Sequence, residues 1–221
     1  MEYIVRVVPA ILTEDPRALE AMVHQVEGFM DYAQIDFMDG EFVPSRSITP
    51  EHVTQLQTKL GWEAHLMVLH PETYPEGLRQ AGARKVIFHY EATNTPEEVI
   101  RAIRGLGLRV GMAINPETSV SAIEPFLREI DSVLLLSVHP GFYGSKFIPE
   151  VPDKIAELRL IRHDIEIGID GGVKESNIVE IAEKGPNAIY VGSAILLQPN
   201  PAESYRRLQD MVSNACQHIP E

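Results

Sequence analysis

Cysteine is almost missing from this 221-residue chain. Cys216 stands alone, which excludes an internal disulfide framework and a cysteine-rich zinc site. Positive charge is scarce as well, 19 Lys and Arg against 32 Asp and Glu, for a formal net charge of -13. Binding driven by neutralising a phosphate backbone needs the opposite balance, so no nucleic-acid partner is expected. A small anionic ligand stays open, because a local glycine-rich pocket can override a distant global charge. No apolar run approaches a membrane span and the N-terminus lacks the pattern of a signal peptide. The expectation is a soluble cytoplasmic protein with no membrane partner. No GxGxxG follows the first strand-like segment, which leaves an open doubly wound sheet without support. No linker, low-complexity tract or charge block divides the chain.

What is present is a regular alternation. Hydrophobic residues make up 44% of the chain, enough for a large core. Strands are expected at Tyr3–Val8, from Ala33 to Met38, at Trp62–Val68, Lys85–Tyr90, Leu108–Ile114, Asp131–Val138, Ile165–Ile169 and Ala188–Val191. Between them fall helices opened by Asp15 and Pro16, then from about Pro50 to Leu60, Pro71–Ala81, Thr95-Pro96 to Gly105, Ser119–Arg128, Pro149–Ile161, Glu175–Lys184 and Ala202–Ala215. Eight strand–helix units with short connections call for parallel strands joined by right-handed crossovers, and eight of those close on themselves. The expected architecture is one (β/α)8 barrel domain spanning residues 1–221.

In such barrels the working groups gather at the C-terminal ends of the strands. The stretch Gln34-Ile35-Asp36-Phe37-Met38 alternates at a period of two, so Ile35 and Phe37 face the helices while Gln34, Asp36 and Met38 face the barrel interior. The same parity puts His65 and Met67 inside, and Asp170 inside at the end of the seventh strand. A lone inward histidine is more often core than ligand, inward aspartates near turns are often caps, as Asp39 and Asp170 could be, and Met38 and Met67 alone read as filler. The convergence of Asp36, His65 and Asp170 at one level tips the reading towards function. Two carboxylates and an imidazole suit a divalent-metal site, and also an acid/base pair facing each other across a substrate. Asp170-Gly171-Gly172 and Gly192-Ser193, after the seventh and eighth strands, lie where this fold often holds phosphate. Gly141-Phe142-Tyr143-Gly144 adds a third glycine-containing loop.

The ordered motifs Asp36-Phe37-Met38-Asp39-Gly40, His65-Leu66-Met67-Val68, Asn115-Pro116, His139-Pro140-Gly141-Phe142, Asp170-Gly171-Gly172 and Val191-Gly192-Ser193-Ala194 resemble those of ribulose-phosphate 3-epimerases nearly end to end. The resemblance implies a ribulose-phosphate-binding barrel that interconverts D-ribulose 5-phosphate and D-xylulose 5-phosphate. Asp36 and Asp170 would be the two acid/base residues, and Asp36, His65 and Asp170 would hold a divalent metal, commonly zinc. Met38 and Met67 would line the enediolate. Gly171, Gly172, Gly192 and Ser193 would bind phosphate, with Gly141, Phe142, Tyr143 and Gly144 covering it. The partner implied is a small ketose phosphate, and a homo-oligomer is expected.

Four positions depart from the family's pattern. Gln34 stands where the family has a second metal-binding histidine, and Ala10 where it has a serine. Gly141-Phe142-Tyr143-Gly144-Ser145 replaces Gly-Phe-Gly-Gly-Gln. An amide oxygen is a poorer zinc ligand than imidazole, so the metal site is expected to be weakened, and often empty after purification. The alternatives are an epimerase of another ketose phosphate and a phosphosugar-binding relative without turnover.

Overall fold

A computed structural model describes residues 5–141 and 145–217. Phe142, Tyr143 and Gly144, expected over the phosphate, lie outside the described residues. Eight parallel strands form a closed barrel in sequence order: β1 (Arg6–Ile11), β2 (Tyr32–Met38), β3 (Gly61–Met67), β4 (Lys85–His89), β5 (Arg109–Ile114), β6 (Ser132–Leu136), β7 (Glu166–Asp170) and β8 (Ala188–Val191). β1 runs on through Pro9, beyond the expected stop at Val8. Its ladder changes partner there, residues 6–9 pairing with β8 and residues 10–11 with β2. The C-terminal helix clamps this seam, since Val7 N–H donates to Gln209 Oε1 at 2.9 Å and Gln209 Nε2 donates to the Val5 carbonyl at 3.2 Å.

The period-two readings hold. Ile35, Phe37, Ala64, Leu66, Val133, Leu135, Ile167 and Ile169 pack outward into the helix layer, while Val8, Ile87, Leu134 and Tyr190 fill the inside. Gly168 is required by the latter packing: a Cβ there would lie 2.5 Å from the Tyr190 ring. Towards the N-terminal ends of the strands the interior is ionic. Buried Lys85 Nζ lies 2.7 Å from Glu63 Oε2 and 3.0 Å from Glu166 Oε1, with Arg109 2.9 Å from Glu166 and the Tyr32 hydroxyl donating to Glu63 at 2.9 Å.

The outer helices are α1 (Pro16–Glu27), α2 (Pro50–Thr54), α3 (Pro75–Gln80), α4 (Pro96–Gly105), α5 (Val120–Ile123), α6 (Lys154–Ile161), α7 (Ile178–Glu183), α8 (Ser193–Leu196) and α9 (Pro201–Cys216). α1 begins as expected, with Pro16 in its first turn and the Asp15 carboxylate accepting from Arg17 N–H. Several helices are shorter than the sequence pattern allows. Pro75 splits the Pro71–Ala81 stretch into a 3-10 turn and α3, and Pro125 likewise leaves a 3-10 turn after α5, because proline has no N–H to carry the helical hydrogen-bond ladder across it. α2 ends at Thr54 instead of near Leu60, and the chain beyond is tied to α1, where Glu27 accepts from the Thr58 hydroxyl and from Lys59 N–H. The short helix α8 directly after β8 was not anticipated as a separate element. No helix among the described residues is long and apolar enough to cross a membrane.

Candidate active site

Strand parity and register bring the site together. Asp36 of β2 is in register with His65 of β3, and Asp170 of β7 with Tyr190 of β8. Asp36 and Asp170 therefore have β1 and β8 between them, and both carboxylates turn inward onto one amide. Gln34 Nε2 donates to Asp36 Oδ1 at 2.9 Å and to Asp170 Oδ2 at 2.7 Å. The pair is closer than residues facing one another across the full mouth. His65 Nδ1 lies 3.0 Å from Asp36 Oδ1 and 3.7 Å from Asp170 Oδ2. Gln34, Asp36 and His65 are buried.

Burial, and then the charge of Asp36, push the Asp170 carboxyl up to about 7. Burial works to lower the His65 imidazole, but its hydrogen bond to Asp36 and the charges of Asp36 and Asp170 outweigh it and raise the group. Two carboxylates this close need a cation or a proton between them.

A divalent ion is one such cation. One ligand atom each from Asp36, His65 and Asp170 lie within 4.8 Å of one another, close enough to share an ion. The fourth neighbour, Gln34, has its Oε1 buried without a hydrogen-bond partner. Turning the amide over would present that oxygen to the triad in place of the NH2. Two carboxylates, one imidazole and one amide oxygen are a donor set that fits a divalent cation.

One cavity unites most of the expected residues. Asp36, Met38, His65, Met67, Gly141, Asp170, Gly171, Gly172, Gly192 and Ser193 all line it. Met38 and Met67 pack with Val43 and line the same cavity as Asp36 and Asp170. Gly171 turns at φ 107°, and a Cβ there would meet Val138 at 2.4 Å, so only glycine lets the loop pass this close. The two aspartates open to a capping role separate cleanly. Asp39 is a turn residue whose carboxylate accepts from the N–H groups of Glu41, Phe42 and Leu69, whereas Asp170 binds Gln34 inside the site. His139 is exposed and paired with Glu117.

Other residues escaped the sequence reading. Lys174, on the loop after Gly172, is the one cation among the described residues that line the cavity. Its position two residues past a glycine pair was the available signal. His89 is completely buried, with Nε2 3.0 Å from His65 Nε2 and Nδ1 3.3 Å from Glu91 Oε2. Alternation along β4, with Lys85, Ile87 and His89 inward, could have pointed to it.

Comparison with known proteins agrees with this geometry. Residues 6–196 match the model of the ribulose-phosphate 3 epimerase family. The chain belongs to that family. It is 34% identical over 221 residues to the ribulose-phosphate 3-epimerase of Schizosaccharomyces pombe, covering 97% of both chains. To the enzyme of the same name from Synechocystis it is 39% identical over 207 residues, covering 90% of each. Among solved structures, 3-hexulose-6-phosphate synthase from Salmonella typhimurium superposes with a TM-score of 0.72 at 19% identity, over 95% of this chain and 99% of that one. An orotidine 5'-monophosphate decarboxylase from Methanocaldococcus jannaschii follows at 0.65 and 14%, over 95% of this chain and 100% of that one. At those identities the likeness concerns the barrel alone.

Proposed function

We propose that the protein interconverts D-ribulose 5-phosphate and D-xylulose 5-phosphate by moving the C3 proton between two carboxyl groups. The observation that carries this reading is the pair Asp36 and Asp170, held by the single amide of Gln34 on the floor of the cavity. Epimerisation at a carbon beside a carbonyl needs a base on one face and an acid on the other. With its carboxyl pushed up to about 7 by burial and by the charge of Asp36, Asp170 can hold or release a proton near neutral pH, as a group that must both donate and accept requires. Abstraction of the C3 proton gives an enediolate, and delivery of a proton to its opposite face completes inversion. The reverse reaction exchanges the roles. Met38 and Met67 supply a polarizable, water-excluding wall beside the planar intermediate.

Asp36, His65 and Asp170, with Gln34 Oε1 as a weak fourth donor, would hold a divalent ion, for which zinc is our assignment. When bound, the ion supplies Lewis-acid polarisation of the ketose carbonyl, worth several kcal/mol. The backbone of Gly171, Gly172, Gly192 and Ser193, together with Lys174, would receive the phosphate and place C3 over the carboxyl pair. Gly141 closes the cavity on the same side. A homo-oligomeric cytoplasmic enzyme is part of the proposal.

The test is turnover of D-ribulose 5-phosphate in deuterated water. Wild type should yield D-xylulose 5-phosphate with deuterium at C3. Asp36→Asn and Asp170→Asn should each fold normally and lose roughly 10²–10⁴-fold in kcat, the usual scale of one acid–base group. Full activity in either variant refutes the two-carboxyl reading. Preferential turnover of a hexulose phosphate would move the assignment to a related substrate.

A further inference from the structure

Beneath the carboxyl pair a second chain of contacts leads away from the cavity. His65 Nε2 meets His89 Nε2 at 3.0 Å, the two rings lying at 28° with centroids 5.1 Å apart. His89 Nδ1 lies 3.3 Å from Glu91 Oε2. Glu91 is itself anchored, its Oε1 accepting from Asn115 N–H at 2.8 Å and from the Thr118 hydroxyl. Phe42 packs on the His89 ring with centroids 4.9 Å apart. His89 and Glu91 do not line the cavity and so touch no substrate there. The mechanism above gives them no role.

We propose that Glu91 and His89 are positioning residues that fix a proton on His65 Nε2, so that Nδ1, which donates to Asp36 in the ion-free protein, is the nitrogen given to an ion held between Asp36 and Asp170. The inference rests on the ion reading of the preceding subsection and deepens it. Its logic is that of donors and acceptors. An ionised carboxylate only accepts, so His89 Nδ1 must carry a hydrogen towards Glu91. The contact between the two Nε2 atoms holds one proton: two would collide, and none would set lone pair against lone pair. An imidazole that gives Nδ1 to an ion keeps its one hydrogen on Nε2, and His89, with its Nδ1 hydrogen turned to Glu91, can accept it there, so the shared hydrogen belongs to His65 Nε2. Nδ1 of His65 is then the nitrogen free to bind an ion between the two carboxylates, and it is the nitrogen that faces them at 3.0 and 3.7 Å.

The protonation state required of Glu91 is the one its surroundings favour. Burial works to raise the Glu91 carboxyl, but the bonds from His89, Thr118 and Asn115 N–H hold it below the usual range, keeping it charged. Without the relay, a neutral His65 gains most by placing its proton on Nδ1 and donating to Asp36, which closes the ligand position. Two stacked buried histidines could also be mere core packing. Packing alone sets no direction of donation, and the tautomers are what separate the two accounts.

The experiment uses full-length protein labelled with 15N at histidine, examined by long-range 1H–15N correlation with and without zinc, alongside zinc affinity by competition with a chromophoric chelator. Wild type should show His89 protonated on Nδ1 in the metal-free state. Zinc-loaded, it should show His65 with Nε2 protonated and Nδ1 bound. His89→Leu should leave the metal-free His65 protonated on Nδ1 alone and lower zinc affinity about 10–100-fold, the range for losing an outer partner of a ligand. His89→Gln, whose amide oxygen can accept from His65, should recover part of that loss. Wild-type His89 protonated on Nε2 instead overturns the relay, as does His89→Leu with an unchanged His65 pattern and unchanged zinc affinity. If His89→Leu fails to fold, Glu91→Gln decides: it should allow His89 both tautomers, and a single unchanged tautomer refutes the proposal. Failure of wild type to take up zinc would refute the ion reading alone, since the metal-free nitrogen spectra still judge the relay.

Discussion

A primary amide can give one hydrogen to each of two carboxylates from a single nitrogen, and Gln34 does this at 2.9 and 2.7 Å. It thereby steadies two acids that would otherwise repel, without adding charge. Imidazole in its place would offer a stronger, softer ligand to an ion. Gln34→His is expected to raise zinc affinity at least about tenfold, measured by chelator competition. Equal affinity in the two proteins would show that the amide oxygen already completes the shell. The same acids set a pH dependence. The folded Asp170 carboxyl titrates at about 7 against an ordinary 3.8, so its stabilising effect is complete below about pH 3.8 and is lost as pH rises to about 7. In chelator-treated protein, Asp170→Asn should therefore melt above wild type at pH 8 and match it near pH 4. The ceiling on the difference is about 4 kcal/mol, from about 1.4 kcal/mol per pH unit. Thermal melts at the two pH values check it, and wild type melting higher at pH 8 would contradict the assigned repulsion.

At the scale of elements, what a strand contributes follows from where its parity points, and what a loop contributes follows from its glycines. Asp36, His65 and Asp170 were legible because alternation in β2, β3 and β7 leaves no choice about which side chains face in. His89 obeys the same rule, but β4 reads as a plain apolar run in which one histidine looks like filler. Helix lengths were less legible. Pro75 and Pro125 interrupt otherwise periodic stretches, and the early end of α2 depends on contacts with Glu27 that no local pattern announces. Loop positions are also only partly legible locally, since Lys174 is singled out by its place at the cavity rather than by a motif. Lys174→Ala should raise KM for the phosphorylated ketose roughly tenfold to a hundredfold, the worth of a hydrogen bond to a charged group. Turnover should change less, and inhibition by inorganic phosphate should weaken in parallel. Steady-state kinetics with phosphate as inhibitor provide the check, and an unchanged KM would remove Lys174 from the phosphate site.

Taken whole, the barrel interior carries ionic groups near both ends with an apolar layer between. Lys85, Glu63 and Glu166 sit at the N-terminal ends of their strands, below Val8, Ile87 and Leu134, and Asp36 and Asp170 lie above. Removing one partner of the lower cluster strands a buried charge, at a cost of about 3–5 kcal/mol. Lys85→Met should therefore lower the melting temperature markedly while kcat at 25 °C stays near wild type. A matching loss of kcat would mean that the two ends are mechanically coupled.

The seam between β1 and β8 has a consequence for how the molecule is made. β1 leaves the ribosome before the other seven strands, yet the strand it pairs with over residues 6–9 is the eighth, and the glutamine that clamps it, Gln209, comes 202 residues after Val7. Throughout most of translation the nascent chain must carry an unsatisfied strand edge, the kind of surface that recruits other chains. Closing it is a single late event spanning nearly the whole sequence. A ribosome stalled before α9 would hold a nearly finished barrel with an open side, and factors that shield nascent chains would matter more for this protein than its final stability implies.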